Sequence, residues 1–374
     1  MMFPFSLKPI RWLFCASVFC CCLFGCASVV AQNTFIPEAQ IVLFTPSDIK
    51  PPPREDYLPR LNLFGLYAEQ FFHDGLKDWG YQPARKEIFN RDADGKITVI
   101  HVKGDLPAAG GSYKDKWISA QVHDKLKSDH GIKIAGNLYW IFVYVGDPPV
   151  RHDNYRGSGN SKDGGWAVLN YINVSSKVSL GDEMVSRLHD DLTLKGCIHE
   201  FGHALGLSHI GPKVELRKGN TLMGPVNRIY AAQKLPNRTK AYLAEANAAV
   251  LSTHPIFTGD ASQRNKLPET DFQQIKVSFN RRSRTMDVTG RLKSSDQVHR
   301  IIVIDDRDDK IGAYWVKGYV AELDARSGFS VSIPQPGPTG SLKILAVYTN
   351  GAYTGDGMKR GIESAHVVPY SRAN

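Results

Sequence analysis

Three histidines at fixed spacing within residues 192–209 constrain the fold of this chain more than any other feature. The segment LTLKGCIHEFGHALGLSH contains the pattern H-E-x-x-H-x-x-G-x-x-H without a mismatch. On an α-helix, His199 and His203 project from one face, so their imidazoles can converge on a single metal ion. Gly206 tolerates the left-handed conformation of a C-terminal turn, which lets the chain bend back and bring His209 to the same metal. The segment therefore predicts a helix followed by a sharp turn.

The same pattern predicts a catalytic metal site and not a structural one. Three protein ligands leave one coordination position open, whereas structural zinc sites are closed by four ligands, usually with cysteines. Glu200 lies about 100° around the helix from His199, outside the ligand set but beside the open position, where a carboxylate can act on water. We therefore predict one catalytic Zn²⁺ held by His199, His203 and His209, with Glu200 as a catalytic residue placed to act on water.

At these residues the sequence resembles the metzincin clan of zinc metallopeptidases, and the form H-E-F-G-H-A-L-G-L-x-H looks most like the matrixins. The clan has a methionine-containing turn downstream, which the segment NTLMGP around Met223 fits. Ile210 follows the third histidine where matrixins have serine, and no latency-type cysteine motif precedes the domain. The resemblance is therefore to a divergent, bacterial-type member of the clan.

The resemblance implies a zinc-dependent endopeptidase that hydrolyses peptide bonds in a protein or peptide substrate. It implies that a zinc-activated water attacks the scissile carbonyl, while Glu200 takes the proton and passes it to the leaving amine. It also implies that the substrate lies extended along an edge strand of the sheet, for which residues 164–171 are the candidate. The alternative is a catalytically idle, zinc-containing extracellular binding or adhesion protein that acts through its C-terminal part, and the retained Glu200 argues against it.

Residues 1–31 predict export from the cytoplasm. Lys8 and Arg11 precede an apolar run that ends in small residues, as in a secretory signal peptide, and the run is too short for a stable membrane span. Two cleavage readings compete, because VVA before residue 32 suits an ordinary signal peptidase whereas LFGC resembles a lipobox and would place a lipid anchor on Cys26. We therefore predict an extracytoplasmic protein without a transmembrane span, either secreted or periplasmic, or a lipoprotein if Cys26 is the cleavage site.

Cysteine usage and net charge limit the disulfides that the chain can form and the partners that it can bind. Five of the six cysteines lie in the leader, so cleavage after residue 31 leaves only Cys197 and no internal disulfide. The formal net charge of +9 falls to +7 without the leader, and the basic residues are spread along the chain. This pattern argues against nucleic acid as a partner and leaves an anionic cell-surface polymer as a weak one. Nothing in the sequence indicates an oligomeric state.

An alternation of strands and helices predicts that residues 38–257 form a metzincin-like catalytic domain with a mostly parallel twisted sheet. The last predicted strand, residues 164–171, is expected at the sheet edge, after a long polar loop at residues 146–165. A final helix is predicted over residues 239–253, with Thr239 as its N-cap. The strands are predicted at 41–45, 96–102, 137–145 and 164–171, and the earlier helices at 58–78 and 115–128.

From about residue 270 the pattern changes to six short alternating stretches separated by turn residues. Such spacing predicts that residues 270–374 form an antiparallel β-sandwich of the immunoglobulin-like or fibronectin-like kind. With 374 residues, the chain is long enough for two domains with their own cores. The predicted fold class is therefore α+β, with the domain boundary between residues 258 and 270.

Three further positions receive minor interpretations. Tyr230 could assist an oxyanion, but packing is the favoured reading, and Cys197 is predicted to be a small buried hydrophobe. Residues 90–96 resemble the start of a Ca²⁺-binding loop, with oxygen ligands at positions one, three and five and glycine at six. Because the twelfth position is His101 instead of glutamate, a polar turn is favoured over a Ca²⁺ site.

Overall fold

The computed structural model describes residues 36–109, 115–146, 155–160, 163–171, 193–261, 268–354 and 365–372. All of them belong to one compact unit, Thr34–Asn374. The predicted signal peptide, both of its cleavage sites and Cys26 lie outside the described residues and stay predictions. Within the described part, no helix is both long enough and apolar enough to cross a membrane.

A five-stranded sheet organises the first half of the chain, residues 36–261. Its strands are β1 (Ala39–Thr45), β2 (Val99–Lys103), β3 (Leu138–Val143), β4 (Tyr155–Asn160) and β5 (Gly164–Asn170). They lie in the order β2-β1-β3-β5-β4; the first four in this order are parallel, whereas β4 runs antiparallel to β5. β1 and β3 are buried along their whole length, which explains their continuous apolar sequences.

Two amphipathic helices cover opposite faces of this sheet. Successive side chains of a strand point to opposite faces. Ile41 of β1 therefore shares a buried cluster with Phe64 of helix α1 (Arg54–Lys77), while Val42 shares another with Val122 of helix α2 (Asp115–His130). Both helices were predicted, and α1 begins four residues before its predicted start.

The edge of the sheet is not where the sequence predicts it. β5 pairs with β3 on one side and with β4 on the other, so residues 164–171 do not form an edge strand. The edge strand is β4, which lies inside the predicted loop at residues 146–165. The prediction was wrong because the sequence YRGSGN has low β propensity, and contacts with a helix described below specify the strand instead.

Helix α3 (Thr193–Ala204) carries the first two histidines, and short elements follow it. These are β6 (Asn220–Thr221), α4 (Asn227–Ala232), β7 (Ala241–Tyr242), α5 (Glu245–Leu251) and α6 (Pro255–Thr258). The helix predicted from Thr239 begins only at Glu245, because Ala241 and Tyr242 pair with β6 in a parallel bridge. This pairing depends on a distant part of the chain, which local sequence does not show.

The second half, residues 268–372, is called here the β-rich half. It contains β8 (Thr270–Asn280), β9 (Thr285–Ser294), β10 (Val298–Arg307), β11 (Lys317–Ala321), β12 (Gly328–Pro334), β13 (Thr339–Tyr348) and β14 (His366–Ser371). They form two antiparallel sheets, β11-β10-β13-β14 and β12-β9-β8. Both sheets contribute to one buried cluster, which includes Val288 of β9 and Val303 of β10. The predicted antiparallel strands are present; the sequence missed β14, an edge strand that contains Pro369.

Buried contacts join the two halves. Ile302 and Leu345 of the β-rich half belong to the same buried cluster as the residues of α3. The main-chain N–H of Gly211 donates a 2.7 Å hydrogen bond to the carbonyl of Val316. The division into domains at 38–257 and 270–374 stays a prediction, since residues 262–267 of the connection lie outside the described residues.

Candidate metal centre

Helix α3 and the turn after it bring the three predicted histidines together. His199 and His203 lie on one face of α3, with ring centroids 4.8 Å apart. Gly206 has a φ of +85°, and the N–H groups of Gly206 and Leu207 donate to the carbonyls of His203 and Gly202. This pair of hydrogen bonds is a Schellman motif, which ends the helix and reverses the chain toward His209.

The three imidazoles converge as ligands of one ion would. Their ligand nitrogens all lie within 4.8 Å of one another, and Nε2 of His203 is 3.0 Å from Nε2 of His209. Two ligands of a tetrahedral zinc ion are about 3.3 Å apart when each zinc–nitrogen bond is about 2.0–2.1 Å. The arrangement therefore fits zinc. Among the described residues, this is the only group of three or more histidine, cysteine or acidic side chains that converges in this way.

Hydrogen bonds fix the orientation of the first two rings. Nδ1 of His199 donates to the carbonyl of Leu222 over 2.9 Å, and Nδ1 of His203 donates to the carbonyl of Leu207 over 2.8 Å. A carbonyl can only accept, so both rings must carry their proton on Nδ1. Nε2 of each ring is therefore left as the nitrogen that can bind a metal.

Burial keeps the imidazoles in the form that a metal requires. It lowers the pKa of His199 well below its ordinary value, and it lowers the pKa of His203 as well. The pKa of His209 falls to about 3, again chiefly through burial. Because metal ligation needs neutral imidazole, these shifts favour binding over a wide range of pH.

Glu200 lies beside the histidines but does not belong to the converging group. Burial raises the pKa of its carboxyl to about 7, and the N–H of Gly157, the charge of Arg156 and that of Lys195 oppose this rise. The hydrogen bond from Gly157 places the carboxylate between α3 and β4. A carboxylate with a pKa near neutrality is suited to accept a proton and to return it.

The contact between β4 and α3 was missed in the sequence. A Cβ atom at Gly157 would lie 2.0 Å from the carbonyl oxygen of Glu200, and one at Gly159 would lie 1.8 Å from that of Ala204. Both neighbours are main-chain atoms of the helix, so only glycine permits this approach. The sequence does contain an indication of this contact: Gly157 and Gly159 are two positions apart, so both lie on the same face of a strand and leave that face without side chains.

Lys195 and Met223 are buried and connect α3 to the turn at residues 222–225. Met223 is fully buried, and a Cβ at Gly202 would lie only 2.7 Å from its Sδ, so the methionine packs directly under the histidine helix. Nζ of Lys195 donates to the carbonyls of Gly224 and Pro225. Burial lowers the pKa of Lys195 to about 7. Lys195 was missed, although its position four residues before His199 places it on the same side of the helix.

The minor positions have the structural roles that the sequence favoured. Tyr230 is buried and donates its hydroxyl to the carbonyl of Pro236, and Cys197 is fully buried. In the turn at residues 90–96, Oδ1 of Asp92 accepts hydrogen bonds from the N–H groups of Asp94 and Lys96, which confirms a polar turn. His101 instead contacts Oγ1 of Thr45, so these observations give no support to a Ca²⁺ site.

Two residues of the β-rich half contact this region: the hydroxyl of Tyr353 donates to the carbonyl of Gly206, and the ring of Tyr314 packs against the histidines. Tyr314 lies in a 3₁₀ turn, Ala313–Trp315, between β10 and β11. Its ring centroid is 4.0 Å from that of His209 and 6.0 Å from that of His199. No motif in the sequence pointed to this residue.

Comparisons of the sequence with protein-family models and with curated proteins found no match. Comparison of the fold with solved structures found OgpA from Akkermansia muciniphila. Its catalytically inactive form, solved in complex with an O-glycopeptide substrate (glycodrosocin), matches with a TM-score of 0.65 and 22% identity, over 92% of this chain and 95% of that chain. A structure of wild-type OgpA matches with a TM-score of 0.65 and 21% identity, over 91% of this chain and 95% of that chain. A second structure of wild-type OgpA matches with a TM-score of 0.62 and 22% identity, over 91% of this chain and 97% of that chain. At these identities the likeness shows a shared fold that spans both halves.

Proposed function

We propose that this protein is a zinc-dependent endopeptidase of the metzincin type, with His199, His203 and His209 as the zinc ligands and Glu200 as the catalytic acid/base. The observation that carries the proposal is the convergence of three neutral imidazoles beside a carboxylate that is not part of the ligand set. An arrangement of this kind leaves a metal with an open position next to a proton acceptor. Bound zinc would polarise the scissile carbonyl and lower the pKa of water.

Glu200 would move the proton. In its ionised form it accepts a proton from the attacking water, and the resulting carboxylic acid delivers that proton to the leaving amine nitrogen. The N–H of Gly157 holds the carboxylate in place, and burial keeps its pKa near 7, so both protonation states are accessible at neutral pH. The hydrolysis thereby conserves protons, since the one removed from water ends on the amine.

We place the substrate along β4, which replaces residues 164–171 in this role. β4 is the edge strand of the sheet, and Gly157 lies directly against α3 at Glu200 and His203. An extended peptide that pairs with an edge strand gains main-chain hydrogen bonds without any requirement on its side chains. OgpA, with the same fold, was solved with an O-glycopeptide substrate, so O-glycosylated peptides are the first substrates to test here.

The alternative, a zinc-containing binding or adhesion protein without catalysis, uses the histidines but has no use for Glu200. In the structure the Glu200 carboxyl is partly desolvated, and burial raises its pKa. A partly desolvated carboxyl costs folding free energy, and an idle site would gain by replacing it. We also propose an extracytoplasmic location, either secreted or periplasmic, or lipid-anchored if Cys26 is the cleavage site.

The test is the Glu200→Gln variant of the full chain, assayed on unfolded casein, a peptide library and O-glycopeptides. A general base contributes about 10²–10⁴-fold, so we expect activity at or below about 1% of wild type. Zinc content should stay near one per chain, because the amide replaces no ligand, whereas His203→Ala should lose zinc as well. A Glu200→Gln variant that cleaves as fast as wild type contradicts the mechanism. A zinc-loaded wild type that cleaves none of these substrates favours the binding protein.

A further inference from the structure

The three histidines differ in what orients their rings. Main-chain carbonyls accept hydrogen bonds from Nδ1 of His199 and of His203. Among the described residues, no carbonyl or carboxylate accepts a hydrogen bond from Nδ1 of His209, and the polar contact of this ring is with Nε2 of His203. Metal-ligating histidines almost always have such an outer partner, because it fixes the ring for binding. In the part of the chain that the structure describes, the other close contacts of the third ring are therefore with aromatic rings.

Tyr314 packs against the His209 ring. The two rings pack with their centroids 4.0 Å apart and their planes at 41°. Tyr314 is 41% exposed, so its ring contributes little to the core of the β-rich half. It packs instead against the ring of His209.

The turn that carries Tyr314 is fastened to the chain just after His209. The N–H of Gly211 donates to the carbonyl of Val316 over 2.7 Å, and a Cβ at Gly211 would lie 2.7 Å from Cα of Trp315. Trp315 in turn stacks on Tyr230, with ring planes at 20° and centroids 6.5 Å apart. These contacts hold Trp315 and Val316, the two residues after Tyr314, against Gly211 and Tyr230.

We propose that Tyr314 is a positioning residue for the metal, which orients the His209 imidazole by ring packing where main-chain carbonyls orient the other two. The inference rests on the proposed function only in taking the three histidines as zinc ligands, and it does not depend on hydrolysis. Outer partners of ligating histidines contribute about 10–100-fold to metal affinity. A packing contact without a hydrogen bond belongs at the lower end, about tenfold.

The test measures zinc affinity of the full chain by competition with a chelator, without any substrate. Tyr314→Ala is expected to bind zinc about tenfold more weakly than wild type. Tyr314→Phe should bind like wild type, because the ring and not the hydroxyl makes the contact. Ile311→Ala is the matched control, since Ile311 lies in the same loop, is 65% exposed and should leave the affinity unchanged.

Two further measurements separate positioning from general stability. The thermal stability of the zinc-free Tyr314→Ala variant should equal that of zinc-free wild type, and the visible spectrum of its Co²⁺ form should differ from that of wild type. Unchanged zinc affinity in Tyr314→Ala, an equal loss in Tyr314→Phe, or a matching loss of zinc-free stability would each overturn the role of Tyr314. A tight zinc site that shows no peptidase activity would instead contradict the proposed function and leave this inference standing.

Discussion

The two halves of the molecule differ in what they bury. In the first half, charged groups lie in the core and hold main-chain segments: Glu69 accepts hydrogen bonds from the N–H groups of Ile88 and Phe89, and Lys195 donates to the turn after Met223. In the β-rich half, Asp305 alone is both buried and polar among the described residues. There, strands such as β12 alternate strictly between buried and exposed positions. The contrast shows that buried polar groups fix irregular main chain in the first half, both at residues 88–89 and in the turn after Met223.

A buried charge is expensive unless its partners are complete, so the first half is the more sensitive to small polar changes. In the β-rich half, the sheet β12-β9-β8 rests on side-chain alternation, which tolerates local change better because each position packs on its own neighbours, whereas β10 and β13 contain continuous buried runs. This half contacts the histidine site through Tyr314, which packs on His209, and through the hydroxyl of Tyr353, which donates to the carbonyl of Gly206. The two halves can therefore be tested against each other with matched substitutions.

The largest difference is expected for isosteric removal of one buried charge in each half. Glu69→Gln leaves only one acceptor oxygen for Ile88, Phe89 and Arg91, whose guanidinium lies 2.6 Å from the carboxylate. We expect a loss of about 3 kcal/mol in the free energy of unfolding. Asp305→Asn keeps an acceptor for the hydroxyl of Tyr370, so its loss should stay below about 1 kcal/mol. Urea unfolding of both variants measures this, and equal losses would remove the distinction.

A smaller difference is expected between two strand glycines. In Gly159→Ala the new Cβ meets the carbonyl oxygen of Ala204 at 1.8 Å, and a helix main chain cannot move aside. In Gly290→Ala the nearest atom, at 2.4 Å, is the terminal methyl of Ile275, which can change rotamer. We expect losses of about 3 and about 1 kcal/mol, respectively. Gly312→Ala, where no atom lies within 4 Å, serves as the neutral control for thermal unfolding. A neutral Gly159→Ala variant would contradict the close approach of β4 to α3.

The smallest effect is expected on changing pH. Three exposed histidines with a pKa of about 6.5 would be mostly protonated at pH 5.5 and would lose about a thousandfold in zinc affinity. Here the pKa of all three is lowered, so the neutral form persists as the pH falls through 6.5. The apparent zinc affinity should therefore fall less than about tenfold between pH 7.5 and pH 5.5. Chelator competition at the two values checks this, and a loss near a thousandfold would show that burial does not protect the site.

The histidine centre could be predicted because its geometry is local. His199, His203 and the turn at Gly206 depend on helix periodicity and on one glycine, and both are visible within a dozen residues. The parallel strands of the first half could be predicted for a related reason, since strands buried on both faces have continuous apolar sequences. Antiparallel strands with alternating residues were equally visible in the β-rich half.

The parts that could not be predicted depend on distant contacts. β4 is specified by main-chain contact with α3, and the start of α5 is delayed because residues 241 and 242 pair with residues 220 and 221. Tyr314 lies 105 positions after His209, and nothing in its neighbourhood resembles a motif. In each case the decisive partner is far away in the sequence, so no local pattern could reveal it.

The hydrogen bond from Gly211 to Val316 also imposes an order on the maturation of the protein. During synthesis, residues 193–211 leave the ribosome about 100 residues before the loop that contains Tyr314. A nascent chain can therefore form the histidine helix and its terminal turn while the His209 ring still lacks its aromatic neighbour. If zinc binds at that stage, the His199 and His203 imidazoles are already oriented by hydrogen bonds, whereas the His209 imidazole is not yet packed against Tyr314. If Tyr314 orients His209 as proposed, the complete site forms only when the last-made half has folded.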